Sequence, residues 1–174
     1  IQRLYARFPT AGIEYFCIKT IHILRRNAYV TEHLNHEGVS WKEGPPIDPA
    51  QPWYKALFAD DLEKKDAMEA FSATFPHPGV RFVSSSENYL EMLPEQASKG
   101  NALVKAAELA GFRMENVYAI GDYYNDTELL EAAGVSVVPE NAPDDLKEQA
   151  DLVVGHCYQG AVADLIEEIE RRHR

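Results

Sequence analysis

The sequence predicts an α/β protein in which a partial doubly wound layer follows an α+β unit. Three observations carry this: helices and short apolar strands alternate regularly from residue 100 onward, the composition changes character near residue 95, and most aromatics and a Pro-rich stretch lie before that point. Strands alternating with helices at these lengths indicate a parallel, Rossmann-like sheet. The expected division is 1–94 and 95–174.

In the first part, Ile13 to Leu24 is rich in β-branched and aromatic residues and reads as strand, as does the apolar run Trp53 to Ala59. The intervening Gly44-Pro45-Pro46-Ile47-Asp48-Pro49-Ala50-Gln51-Pro52 cannot sustain a helix or a central strand and reads as a long exposed loop. Asp60 or Asp61 can cap a helix with apolar positions Leu62, Met68, Phe71 and Phe75, ended by Pro76. Gly79 to Ser84 and Tyr89 to Leu93 then flank a turn-like Ser84-Ser85-Ser86-Glu87-Asn88.

In the second part, Leu103, Ala106, Ala107 and Ala110 follow the i, i+3, i+4, i+7 helical pattern up to Gly111. Val117-Tyr118-Ala119-Ile120 is too short for a helix and reads as a buried parallel strand. A helix through Leu129, Leu130 and Ala133 stops at Gly134, and Val135-Ser136-Val137-Val138 forms the next strand. Pro143 opens an acidic-started helix, Asp144 to Ala150. Leu152-Val153-Val154 is a third strand, and Val162, Leu165, Ile166 and Ile169 mark the closing amphipathic helix.

The 174 residues carry 17 Lys+Arg against 28 Asp+Glu, a formal net charge of −11, which repels a phosphate backbone and disfavours nucleic-acid binding. Apolar runs fall short of the roughly 18 residues a membrane span needs, so no membrane partner is expected. Cys17 and Cys157 stand far apart without zinc-type spacing, which fits a reducing cytoplasmic compartment.

The segment Gly121-Asp122-Tyr123-Tyr124-Asn125-Asp126 falls where a parallel strand ends and a helix begins, the place where open α/β sheets bind ligands. Asp122 and Asp126 can converge on one hard cation, since Mg²⁺ takes a few carboxylate oxygens plus water and phosphate. Asn125 can donate to a phosphate oxygen. The same residues also suit a plain helix cap beside a solvated Asp122. Ser98-Lys99-Gly100 precedes a helix, so Lys99 can lay its ammonium against a phosphate that the helix N-terminus also favours. By itself, an exposed Lys at such a junction is usually just a solvated one.

Taken in order, Glu91-Met92-Leu93-Pro94, Ser98-Lys99-Gly100-Asn101-Ala102-Leu103, the Gly121–Asp126 segment, Asn141-Ala142 and Ala150-Asp151 resemble the haloacid dehalogenase (HAD) superfamily. More narrowly, they resemble the C-terminal half of Cof-type phosphatases, strongly over 88–170 and more loosely over 1–87. The resemblance implies a HAD-like (Rossmannoid) core over 95–174 and an α+β cap domain, incomplete at its N-terminus, over 1–94. It implies catalytic roles for Lys99 and Asp126, substrate binding by Lys99 and Asn125, and Mg²⁺ binding by Asp122 with support from Asp126.

The family's nucleophile motif, Asp-x-Asp-Gly-Thr/Ser, does not occur here; Asp60-Asp61-Leu62 and Asp144-Asp145-Leu146 lack its pattern. The expectation is therefore a fragment that begins inside the cap of a longer parent, itself a Mg²⁺-dependent phosphatase of small phosphorylated metabolites. The chain alone would be inactive and bind Mg²⁺ weakly. Its expected partners are the missing N-terminal segment or a second copy, through the exposed strand at Val117 to Ile120. The alternative is a non-catalytic module that binds metal, phosphate or a partner.

Elsewhere, His33 and His36 at i, i+3 read as a solvated surface pair rather than metal ligands, and His22, His77, His156 and His173 are scattered. Glu167-Glu168-Ile169-Glu170-Arg171-Arg172 reads as the charged face of the last helix.

Overall fold

The computed structural model describes residues 1–18, 20–44 and 53–172. The chain forms two compact units, Ile1–Gln96 and Ala97–Arg174. Beyond Gly44 the Pro-rich loop reading falls outside the described residues, as does His173.

The first unit runs α1 (Gln2–Arg7), β1 (Gly12–Cys17), β2 (Thr20–Arg25), α2 (Ala28–Glu37), β3 (Trp41–Glu43), β4 (Trp53–Ala59), α3 (Leu62–Ser72), β5 (Val80–Ser84) and β6 (Tyr89–Pro94). Its strands form one sheet in the order β3-β2-β1-β4-β6-β5, antiparallel except for the β2/β3 pair. The run Ile13 to Leu24 is thus a hairpin of two strands. Alternation along β1 sends Ile13 and Tyr15 into a core with Leu4, Phe58, Met68 and Leu90. Phe16 faces the other way, with Ile21, Ile23 and the Val30 and Leu34 of α2.

Helices α1 and α2 and strand β3 lack a sequence signal strong enough to anticipate them. Only Val30 and Leu34 of α2 are buried, so its apolar stripe is one residue wide. What docks it is Asn27, whose Oδ1 accepts the Val30 N–H at 2.9 Å while its Nδ2 donates to Ala59 O at 2.7 Å. The placement corrects the reading of His33 as a solvated residue. Its Nδ1 lies 2.8 Å from Oε2 of the fully buried Glu14 and its Nε2 lies 3.3 Å from Glu37 Oε1, with Phe16 and Tyr89 edge-on to the ring. His36 is exposed.

Helix α3 starts as anticipated, with Asp61 accepting the Lys64 N–H at 3.0 Å, but it ends at Ser72 rather than running on to Pro76. Two hydroxyls explain the early stop: Ser72 Oγ donates to Glu69 O and Thr74 Oγ1 to Phe71 O, both at 2.7 Å, and so compete for the last carbonyls. Phe75 lies past the helix and packs against Phe71 with ring centroids 5.5 Å apart.

The second unit runs α4 (Lys99–Ala110), β7 (Tyr118–Ile120), α5 (Thr127–Ala132), β8 (Val135–Pro139), α6 (Asp144–Gln149), β9 (Leu152–Val154) and α7 (Ala161–Arg172). The sheet β7-β8-β9 is parallel throughout. Each boundary agrees with the sequence reading to within one or two residues. The helix faces do not. Ala106 and Ala110 are exposed beside a buried Ala107, and Val162 and Ile166 are more than half exposed beside a buried Leu165. Three strands of three to five residues offer too little apolar surface to cover the whole face of either helix. Among the described residues, no helix is long and apolar enough to cross a membrane.

Candidate functional site

All four candidate residues belong to the second unit. Because β7, β8 and β9 are parallel, the loops that follow them share one edge of the sheet. Asp122 comes directly after β7 and Gly121, and Tyr124–Asp126 form a single 3₁₀ turn that leads into α5. Two bonds close this turn: Asp126 N–H to Tyr123 O and Thr127 Oγ1 to Tyr124 O, both 2.9 Å.

The turn folds Asp126 back under the end of the strand, where it is 5 % exposed. That approach requires Gly121, since a Cβ there would stand 2.4 Å from Asp126 Cβ. Gly100 does the same for the facing helix. A Cβ on it would meet Glu128 O at 2.3 Å, so glycine lets the first turn of α4 rest directly on the backbone of α5. Ser98 caps α4 by accepting the Asn101 N–H at 3.1 Å.

The side chains then meet. Lys99 Nζ lies 2.5 Å from Asp126 Oδ1, and Asp126 Oδ2 accepts the Asp122 N–H at 3.2 Å. A single buried carboxylate therefore holds both the lysine and the backbone of the other aspartate. The Lys99 side chain is half exposed, while Asp122 is exposed and Asn125 half-buried. The structure thus brings Lys99, Asp122 and Asp126 together and sets Asn125 on the same turn. Sequence reasoning missed two participants, Tyr124 and Asp145: the Tyr124 hydroxyl donates to Asp145 Oδ1, in the first turn of α6, at 3.2 Å. No local pattern links two residues 21 positions apart.

A hard divalent cation fits the donors present. Asp122 supplies one exposed carboxylate, and Mg²⁺ commonly takes one or two carboxylates and completes its shell with water and phosphate. Both Asp126 oxygens already accept hydrogen bonds, so direct metal ligation by Asp126 requires one of these to open. Among the described residues, no group of three or more His, Cys, Asp or Glu side chains gathers as a metal cage.

A family model described as haloacid dehalogenase-like hydrolase matches residues 15–166. Among curated proteins, the chain is 36 % identical over 125 residues to a Bacillus subtilis 5-amino-6-(5-phospho-D-ribitylamino)uracil phosphatase, covering 71 % of this chain and 43 % of the relative. It is 33 % identical over 172 residues to a putative phosphatase of Haemophilus influenzae, covering 97 % of this chain and 64 % of the relative. The chain thus spans between about two fifths and two thirds of the length of these two relatives. Of solved structures, a haloacid dehalogenase-like hydrolase from Bacteroides thetaiotaomicron superposes with a TM-score of 0.77 at 26 % identity, over 97 % of this chain and 65 % of that one. A Streptococcus mutans protein superposes with a TM-score of 0.84 at 19 % identity, over 98 % of this chain and 65 % of that one, a likeness of fold alone.

Proposed function

Because this chain belongs to the haloacid dehalogenase-like hydrolases, we propose that it carries the lysine–aspartate half of a phosphatase site that acts on small phosphorylated metabolites. The observation that carries this reading is the Asp126 carboxylate gripping Lys99 with one oxygen and the Asp122 N–H with the other. In this reading the second unit is the back half of the catalytic core and the first unit the cap. The phosphatase names of the relatives support a phosphate monoester as the substrate class.

Each residue then has a task. Lys99 presents its ammonium to a phosphoryl oxygen as negative charge builds there, beside the N-terminus of α4, whose dipole favours the same anion. Asn125 donates a side-chain hydrogen bond to the phosphoryl group. Asp126 keeps Lys99 aimed, and Asp122 supplies the carboxylate for Mg²⁺. When bound, Mg²⁺ would offset phosphoryl charge and orient the group for attack.

These 174 residues contain no Asp-x-Asp-Gly-Thr/Ser sequence to supply an attacking carboxylate, so the same observations also support a second reading, a module that binds phosphate or metal without turnover. The test is p-nitrophenyl phosphate hydrolysis with MgCl₂ by the chain and its Asp122→Ala variant, beside phosphate binding followed by amide NMR. The half-site reading expects phosphate-dependent shifts at Lys99 and Asp122 with turnover near background. Robust turnover abolished by Asp122→Ala would overturn it, as would the absence of shifts.

A further inference from the structure

The Asp122–Asp126 loop has an outer anchor besides its inner one. Inside, Asp126 is tied to Lys99 and to the Asp122 N–H. Outside, the Tyr124 hydroxyl reaches Asp145 Oδ1 at 3.2 Å. Asp145 makes a firm post, because Leu146 beside it is buried and seats α6, and Gln149 Nε2 donates to Asp145 O at 2.8 Å. The Tyr124 ring also packs edge-on against Tyr123, centroids 5.0 Å apart. Tyr124 O meanwhile accepts from Thr127, and Tyr123 O accepts the Asp126 N–H. The Tyr124 side chain thereby ties the 3₁₀ turn to α6, the helix that follows β8.

We propose that Tyr124 is a positioning residue for the Mg²⁺ and phosphate site, acting through Asp145 to fix the turn that aims Asn125 and Asp126. This rests on the phosphatase half-site reading and adds to it. The 3₁₀ turn after β7 and the first turn of α6, which follows β8, are thereby fastened to one another, a brace separate from the Lys99–Asp126 contact. Without the brace, Asn125 and Asp126 would sample a wider range of orientations, and a hydrogen-bonding site loses affinity when its donors must be ordered at the moment of binding.

The chemistry of the acceptor allows a sharp test. Asp145→Asn keeps a carbonyl-type oxygen for the Tyr124 hydroxyl, Asp145→Ala removes it, and Tyr124→Phe removes the donor. The chain and these variants are titrated with MgCl₂ in the presence of inorganic phosphate, following the amide signals of Asp122, Asn125 and Asp126. Hydrogen exchange of the Asp126 N–H gives a second readout, and Tyr158→Phe, at an exposed tyrosine, is the control.

Tyr124→Phe and Asp145→Ala should each weaken apparent affinity by about threefold to tenfold and speed Asp126 exchange, with an unchanged urea midpoint. The double variant should be no worse than Asp145→Ala alone, which removes the Tyr124 bond together with the one from the Leu146 N–H. Asp145→Asn should bind nearly as the wild type does. Unchanged affinity in both single variants, or additive losses in the double variant, would overturn this proposal while leaving the half-site reading intact. A wild-type chain that gives no response to MgCl₂ and phosphate would overturn both.

Discussion

The Lys99 ammonium rests 2.5 Å from an oxygen of Asp126, a half-exposed cation on a carboxylate that is almost wholly buried. This asymmetry sets what each partner is worth. Removing Lys99 leaves a buried charge with one backbone N–H for company, whereas removing Asp126 lets Lys99 move into water but orphans the Asp122 N–H. Lys99→Ala and Asp126→Ala should each destabilise the chain by about 1–3 kcal/mol. An ordinary exposed lysine would change stability by no more than about 0.5 kcal/mol. Urea denaturation decides, and a silent Lys99→Ala would show that water replaces the ammonium without loss.

Gly100 and Gly121 make a second prediction. Alanine at either position drives a Cβ into occupied space, but the obstacles differ: Glu128 backbone at Gly100, the Asp126 side chain at Gly121. Overpacking of this kind costs about 1–3 kcal/mol. Gly100→Ala should sit at the upper end, because α5 must shift as a body. Gly121→Ala should cost less but broaden the Lys99 and Asp126 NMR signals, since that side chain can swing away. Equal costs with an undisturbed Asp126 would contradict the close approach.

These contacts also mark how far the sequence could be read. The strands β7, β8 and β9 and the edge they share follow from short apolar runs bounded by glycine, so Lys99, Asp122, Asn125 and Asp126 could be placed near one another. Their pairing could not, because whether Asp126 faces a metal ion or a lysine depends on the depth to which Gly121 lets it fold. Helix α2 was hidden for another reason: its two buried side chains, Val30 and Leu34, leave no periodic stripe, and its docking depends on Asn27 bonding to Ala59. His33 looked solvated because nothing local announces that Glu14, nineteen positions away, is buried beneath it.

Acid should loosen the tie between β8 and β9. Asp151 Oδ2 accepts both the N–H and the hydroxyl of Ser136 at 2.8 Å, and Ser136 Oγ accepts the Asp151 N–H at 3.0 Å. The Ser136 backbone hydrogen bond first, then its hydroxyl, hold the Asp151 carboxyl below its ordinary value of 3.8. The folded state therefore binds that proton more weakly than the unfolded one. The stabilisation is fully present above pH 3.8 and is lost as pH falls through the depressed folded value. Exchange of the Ser136 N–H should quicken across that interval relative to other β8 amides once intrinsic exchange rates are divided out. Asp151→Asn should abolish this acid response, and a wild-type Ser136 that shows none would refute the linkage.

The last prediction concerns the edge of the parallel sheet. Among the described residues β7 pairs with β8 and with no second strand, so one row of its N–H and C=O groups is unpaired within the sheet. Its own residues Tyr118 and Ile120 are only half-buried, which leaves apolar surface beside that row. Opposing association is the formal net charge of −11, which makes two copies repel at low ionic strength. Salt screens that repulsion over distances of roughly 10 Å at 0.1 M but leaves strand pairing and apolar contact largely untouched. The chain should therefore self-associate more strongly as salt is raised, the reverse of an assembly held by complementary charges. Sedimentation across a concentration series at two ionic strengths reads the association, and hydrogen exchange locates it: β7 amides should gain protection at high concentration while those of β9 do not. A chain that stays monomeric in both salts, or that protects β9 rather than β7, would remove the β7 edge as the contact.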